Sequence, residues 1–363
     1  IETFERMLSD DGALIIKLWL HVSREAQRLQ LEEQAPSKQQ NPRVTDTPYD
    51  LRGKYDKAIE VSEQLILATD SSHSPWHLIE AEDRRYRDIS AGELILKAML
   101  AREAKPEPDE DTRTSVDIDV LGPQPTVLDS VDLSLKLSSE EYKEELAKYQ
   151  SRLQDLAWDA YRQNRSVVAV FEGWDAAGKG SAIRRVTRAI DPRLYRLIQF
   201  AAPTDEENAH HYLWRFWRQL QRDGRCTFFD RSWYGRVLVE RVEQFATERE
   251  WQRAYSEINQ FEQQLVEHGS IVLKFWIHID NAEQMRRFKA REKEPHKQHK
   301  ITEDDWRNRE RWHDYEIAVD QMVSHTSTRY APWTLVSGND KPYARIQILK
   351  TFCKNMKRAL NGD

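Results

Sequence analysis

Hydrophobic positions along the chain fall into two patterns. Short, largely apolar runs at Ala13–Val22, Val167–Phe171, Leu194–Phe200, Arg225–Asp230 and Ile271–Ile279 predict strands, most of them buried on both faces. Between them lie longer stretches of helical character. One opens at Ser138-Ser139-Glu140-Glu141 with the signature of a capping box and runs through Asn164. Others start near Lys179 or cover Glu206–Arg222, Ser232–Phe245 and Arg249–Glu267. Strands that alternate with helices predict an α/β domain whose mostly parallel sheet is covered on both faces.

The pattern also repeats. Residues 1–22 and 258–279 share Ile, Phe, Glu, Leu, Gly, Lys, Trp and His at eight of 22 positions, at an offset of 257. Residues 75–89 and 332–346 share Pro, Trp, Leu, Asp, Tyr and Ile at the same offset. A common offset over two separated stretches points to a duplicated domain. The part from about Thr126 to Glu257 has no counterpart before residue 1. The chain therefore reads as the tail of one copy (1–102), a linker (103–125) and a complete second copy (126–363). The linker holds four Pro and seven acidic residues, a solvated composition. The retained apolar run of the first copy needs burial, because an exposed strand of that composition would aggregate.

Composition narrows the class. With 363 residues the chain exceeds one ordinary domain. Charged residues reach 32%, yet 12 Trp, 13 Tyr and 11 Phe exclude a disordered chain. No apolar run has the ~18 residues needed to span a bilayer. Cys226 and Cys353 lack metal spacing and cannot form a disulfide scaffold, which fits small core residues in a reducing, cytoplasmic setting. The net charge of −6 does not advertise a polyanion partner, so any anion site must be local.

One such site is legible. Gly173-Trp174-Asp175-Ala176-Ala177-Gly178-Lys179-Gly180-Ser181 is a G-x-x-x-x-G-K loop between a strand and a helix. Its backbone N–H groups and the helix N-terminus form an anion nest, and Lys179 adds a mobile charge for terminal phosphates. The phosphate-binding set is Gly173, Ala176, Ala177, Gly178, Lys179, Gly180 and Ser181. The usual Ser or Thr after the lysine is Gly180 here, so Asp175 inside the loop is the better metal candidate.

About fifty residues on, Phe228-Phe229-Asp230-Arg231-Ser232-Trp233-Tyr234-Gly235-Arg236 ends a strand in an acid, a Walker-B arrangement. Asp230 would share a metal with Asp175, while Arg231 and Arg236 would neutralise charge on a transferring phosphoryl group. Next, Arg286–Lys300 holds seven Lys/Arg against two Glu. Its basic positions Arg286, Arg287, Lys289 and Arg291 align with Leu29, Gln30, Glu32 and Gln34 of the first copy. The copy that has the phosphate loop also has the cations, so the stretch reads as a lid over a phosphate-rich ligand, with Lys297 and Lys300 completing it. His210-His211 and the Trp214/Trp217 pair read as helix–sheet core packing.

These motifs, with Val127–Ser134, Ala202-Pro203-Thr204 and Tyr330-Ala331-Pro332-Trp333, resemble the family-2 polyphosphate kinases, most closely the two-domain polyphosphate:AMP phosphotransferases. The run Asp230–Tyr234 together with the lid is more specific than the loop alone. The resemblance implies a thymidylate-kinase-like, P-loop three-layer α/β/α fold, Mg²⁺, and transfer of a terminal phosphoryl group between polyphosphate and a nucleotide. It carries functional roles onto Asp175, Lys179, Asp230, Arg231 and Arg291. His299 stands where the family commonly has Trp. Two copies resemble the AMP-phosphorylating class.

The acceptor would be an α-phosphate oxygen, already ionised, so positioning and charge neutralisation suffice and no strong general base is needed. The expected partners are inorganic polyphosphate and a nucleotide, AMP first, with no nucleic acid and no membrane; homo-oligomerisation stays open. The alternatives are a kinase acting on nucleoside diphosphates, an ATP-dependent nucleotide kinase on the same fold, and a nonenzymatic nucleotide-binding protein.

Overall fold

The computed structural model describes residues 1–33, 54–104, 126–221, 223–294 and 301–362. The chain divides into two compact units, Ile1–Ile118 and Asp119–Asp363. Lys297, His299 and Lys300 lie outside the described residues.

The first unit contains α1 (Glu2–Asp10), β1 (Lys17–His21), α2 (Arg24–Glu33), α3 (Tyr55–Thr69), β2 (Trp76–Glu80) and α4 (Arg84–Glu103). β1 and β2 form a two-stranded parallel sheet with Lys17 opposite Trp76. Strand β1 is shorter than the predicted Ala13–Val22, because residues 13–16 make no ladder.

The second unit begins with α5 (Ser139–Arg162), capped at both ends of its first turn by Ser138 and Glu141. β3 (Val167–Gly173) and α6 (Lys179–Thr187) flank the Gly-rich loop. β4 (Tyr195–Gln199), α7 (Asp205–Asn208), α8 (Trp214–Trp217), β5 (Cys226–Asp230), α9 (Val239–Val242) and α10 (Glu248–Glu267) follow. The chain then runs through β6 (Ile271–His278), α11 (Asn281–Lys293), α12 (Glu303–Glu310), α13 (Trp312–Thr326), β7 (Trp333–Ser337) and α14 (Lys341–Asn361). All five strands are parallel in the order β4-β5-β3-β6-β7. Helices α5, α6 and α14 pack together on one side, while α9, α10 and α13 pack together on the other, giving three layers. Every residue of β6 is buried, as a strand covered on both faces requires.

Two predicted helices are broken. Among its described residues, Glu206–Arg222 holds only the four-residue helices α7 and α8. Thr204 caps the first, and the Leu213 N–H then donates to His211 Nδ1 at 3.3 Å instead of continuing a helical ladder. Ser232–Phe245 is a 3₁₀ turn, Trp233–Val237, followed by α9. Among the described residues Trp214 and Trp217 share no ring partner. Trp214 stacks on His210 at 4.0 Å, whereas Trp217 packs edge-on against Phe261 at 4.8 Å.

One set of hydrogen bonds recurs in both units at an offset of 257. Lys274 lies opposite Trp333, the register of Lys17 and Trp76 displaced by 257. Lys17 donates to Glu5 Oε2 at 2.8 Å and to the Thr69 carbonyl at 2.5 Å, and the Trp76 indole donates to Thr69 Oγ1 at 2.9 Å. Lys274 donates to Glu262 Oε2 at 2.7 Å and to the Thr326 carbonyl at 2.7 Å, and the Trp333 indole donates to Thr326 Oγ1 at 2.9 Å. All four residues of each set correspond at the offset read from sequence.

Candidate active site

The Gly-rich loop leaves β3 at a point where only glycine fits. Gly173 has φ +149, and a β-carbon there would lie 2.5 Å from the Ile277 carbonyl oxygen. Gly178, at φ +113, caps the N-terminus of α6, so the loop meets a helix whose first N–H groups are free for an anion. Lys179 folds back over the loop and donates to the Gly173 carbonyl at 2.5 Å, with the Trp174 carbonyl 3.5 Å away. Ser181 donates to the Gly178 carbonyl at 2.9 Å.

The loop is braced from below by a residue expected above it. Arg287 is 3% exposed. It donates to the carbonyls of Ala176 (3.0 Å), Ala177 (2.7 Å), Gly338 (2.6 Å) and Asn339 (3.0 Å), and pairs with Glu283 at 2.5 Å. This corrects its reading as a lid contact to polyphosphate: its donors are spent on two loop carbonyls, on two carbonyls just after β7 and on Glu283. A planar guanidinium can serve several carbonyls at once; glutamine, at the aligned position 30, cannot.

Asp230 ends β5 in register with Gln199 on one side and Phe171 on the other. Gln199 donates to its Oδ2 at 3.2 Å, and a β-carbon built on Gly180 would lie 3.9 Å from the same oxygen. The Walker-B carboxylate therefore stands at the first turn of α6. Arg231, exposed, has φ +68, a left-handed backbone that is uncommon for arginine. Beside it Ser232 is buried and donates to Glu172 Oε1 at 2.8 Å. Burial pushes the Glu172 carboxyl up, against the opposing pull of Lys179, the Ser232 hydroxyl and Arg231. Glu172, unnoticed in the sequence, ties the strand before the loop to the turn after Asp230.

Asp175 faces other elements. Its Oδ2 accepts from Asn308 of α12 at 2.9 Å, and its carbonyl accepts from Gln284 of α11 at 3.2 Å. Burial, then the charge of Asp175, pushes Asp305 up, while Arg291 pulls it down. The charges of Arg291 and Asp175 thus both act on Asp305. Arg286 is exposed and paired with Glu283 at 2.6 Å, and Lys289 is exposed. Arg236 departs from its expected role: its partners are Glu240 (3.2 Å), Glu250 (3.8 Å) and the Tyr212 ring (4.6 Å), none of them in the loop.

Several residues that the sequence did not single out complete the site. Trp174 stacks on Trp312 at 3.7 Å and donates to His278 Nδ1 at 2.9 Å. Burial pushes His278 down to about 4, which keeps it neutral and able to accept. Arg345 of α14 donates to Ser181 Oγ at 3.4 Å. At the start of the same helix, lost hydration and the charges of Arg287, Arg291 and Arg345 push Lys341 down to about 8, although the residue as a whole is exposed. Among the described residues no three His, Cys, Asp or Glu side chains form a metal cluster. Two half-buried carboxylates beside an anion nest are nonetheless the hard oxygen donors that suit Mg²⁺, which usually takes one or two carboxylates and fills its shell with phosphate oxygens and water.

The chain is similar over its whole length to known proteins. The family model for polyphosphate kinase 2 matches residues 1–107 and 136–362. The polyphosphate:AMP phosphotransferase of Pseudomonas syringae pv. tomato is 48% identical over 100% of this chain and 73% of its own length. The protein of the same description from Acinetobacter johnsonii is 40% identical with the same coverage. The crystal structure of a candidate polyphosphate kinase 2 from Pseudomonas aeruginosa PA01 superposes with a TM-score of 0.83 at 46% identity, covering 100% of this chain and 71% of that one. Loop, strand-end acid, lid helix and full-length similarity agree: this chain belongs to the polyphosphate kinase 2 family.

Proposed function

We propose that this protein transfers the terminal phosphoryl group of inorganic polyphosphate to AMP, giving ADP. The observation that supports it most is the convergence of the loop Gly173–Ser181 and Asp230 at the first turn of α6, in a chain 40–48% identical over its full length to polyphosphate:AMP phosphotransferases. The division into a degenerate first copy (1–102), an acidic linker (103–125) and a catalytic copy (126–363) is part of the same proposal, as is a cytoplasmic location. Among the described residues no helix is long and apolar enough to cross a membrane.

In this reading the loop N–H groups and the N-terminus of α6 hold the phosphoryl group being transferred. Lys179 leaves the loop carbonyls for phosphate oxygens, exchanging neutral acceptors for charged ones. Arg231 and Arg291 neutralise charge that spreads over the equatorial oxygens, and Arg286 and Lys289 offer further cations on the lid. Asp175 and Asp230 would hold Mg²⁺, which when bound shields the repulsion between donor and acceptor phosphates. The acceptor oxygen of AMP is already anionic, so no residue need remove a proton from it. Asn308 and Gln284 fix the loop segment that carries Asp175, and Arg287 fixes the carbonyls on either side of Ala177. The arrangement is positional throughout, as phosphoryl transfer requires.

The test is a donor–acceptor matrix of polyphosphate, ATP and GTP against AMP, GMP, ADP and GDP. ADP formed from AMP and polyphosphate, with little transfer from ATP, is the expected outcome. Preference for ATP would replace this reading with a nucleotide kinase on the same fold, and preference for ADP or GDP would move the acceptor to diphosphates.

A further inference from the structure

Away from the loop, a groove of about 350 Å³ lies between α5 and α14. Among the described residues five cations line it, Arg152, Lys350, Lys354, Lys357 and Arg358, with one aromatic, one amide and no carboxylate. None of the five pairs with a carboxylate among the described residues. An α-helix turns 100° per residue, so Lys350, Lys354 and Lys357 stand roughly 120–180° around α14 from Arg345, which contacts the loop serine. The groove is thus separate from the catalytic crevice. Lys354 is also about 20 Å along the helix axis from Lys341.

The first copy supplies an internal control. Helix α4 corresponds to α14 at the offset of 257, and Lys350, Lys357 and Arg358 align with Glu93, Leu100 and Ala101. Lys354 aligns with Lys97, so three of the groove's cations, not all of them, lack a basic counterpart on α4. Like charges gathered without counter-charges repel one another, a cost removed by a bound polyanion.

We propose that this groove is a second docking site for the polyphosphate chain, outside the catalytic crevice. The inference rests on the function proposed above. A polyanion with no bases suits it better than a nucleic acid: single-stranded nucleic acids are held largely by stacking on exposed aromatic rings, and the groove's one aromatic, Tyr149, is buried. Long donor chains can occupy groove and crevice together, so their local concentration at the loop rises, whereas short chains gain nothing.

The experiment replaces Lys350, Lys354 and Lys357 together by Gln in the full chain. All three are exposed, so the fold should persist, which thermal unfolding checks. With long-chain polyphosphate the KM should rise about tenfold at low salt, a few exposed charge pairs' worth, and the difference should shrink at high salt. With a chain too short to reach the groove, kcat/KM should not change. An unchanged KM for long chains, or an equal rise for both, overturns the proposal. Binding of end-labelled long-chain polyphosphate to Lys179→Ala protein, with and without the three changes, separates the two readings. Binding weakened about tenfold where the unmodified protein shows no polyphosphate-dependent turnover would sink the proposed function and leave the groove. Unchanged binding alongside robust turnover would do the reverse. A single-stranded oligonucleotide that binds the groove more tightly than polyphosphate would also overturn the assignment.

Discussion

The two copies keep the same polar knot in different surroundings. In the second unit Lys274 and Glu262 are fully buried, and Glu262 also accepts from the Trp233 indole at 3.1 Å and the Tyr234 hydroxyl at 2.6 Å. In the first unit the Lys17 and Glu5 side chains are 9% and 14% exposed, and Ser74 supplies the extra donor at 2.8 Å. The consequences are opposite. Burial pushes the Glu262 carboxyl up, whereas at Glu5 a smaller burial penalty is outweighed by Lys17 and Ser74, and the carboxyl moves down. Apolar positions tell the same story. Phe4, Leu20 and Met99 are 43%, 46% and 57% exposed, while their counterparts Phe261, Ile277 and Met356 are 1%, 1% and 0% exposed. The strand pair and its knot keep the same register in both units although the surrounding side chains differ in exposure. The loop, Asp230 and Arg231 all lie in the second unit, among the strands and helices that enclose its knot.

The largest effect expected from breaking this contrast is on turnover. Lys179→Ala should reduce polyphosphate-dependent AMP phosphorylation by roughly a thousandfold or more without lowering the melting temperature, since the lysine's present partners are two loop carbonyls. A steady-state assay showing more than a few per cent residual activity would mean that another group, in either unit, substitutes for it.

Next in size is stability. Lys274→Met leaves Glu262 fully buried without its counter-charge and should cost about 3–5 kcal/mol, whereas Lys17→Met leaves Glu5 with the Ser74 donor and some solvent and should cost less, about 1–2 kcal/mol. Denaturant unfolding of both variants measures the gap, and equal losses would mean that enclosure does not set the strength of the knot.

His278 gives a smaller, pH-dependent term. Its pKa is held near 4 in the folded protein against an ordinary value of 6.5, so protonation favours the unfolded chain. That contribution is fully present above pH 6.5 and is lost as pH falls from 6.5 towards 4, by at most about 3 kcal/mol. His278→Gln should flatten stability over that window; an unchanged slope would assign it to other groups.

The smallest effect sharpens the role of Arg287. Arg287→Lys keeps the charge and loses the fork that reaches four carbonyls, so turnover should fall about tenfold through a misplaced loop. The KM for polyphosphate should stay nearly constant. A rise in KM with unchanged kcat would return Arg287 to the lid role first expected of it.

Sequence alone determined what is local or periodic. The strands Val167–Phe171 and Ile271–Ile279, the loop with its lysine, the acid that ends β5 and the duplication offset were all legible, because each depends on residue order within one or two adjacent elements. It could not divide Glu206–Arg222 into two short helices, since aromatic packing and the bond to His211 override helical spacing there. Tertiary structure decided the rest. Asn308 reaches Asp175 across 133 positions and Arg287 reaches Ala176 across 111. A basic run supplies a loop brace at one residue and exposed cations at its neighbours, according to which side of α11 packs against the loop. Whether a charged side chain is a ligand contact or a strut depends on the partner that the fold brings to it, and no spacing along the chain encodes that partner.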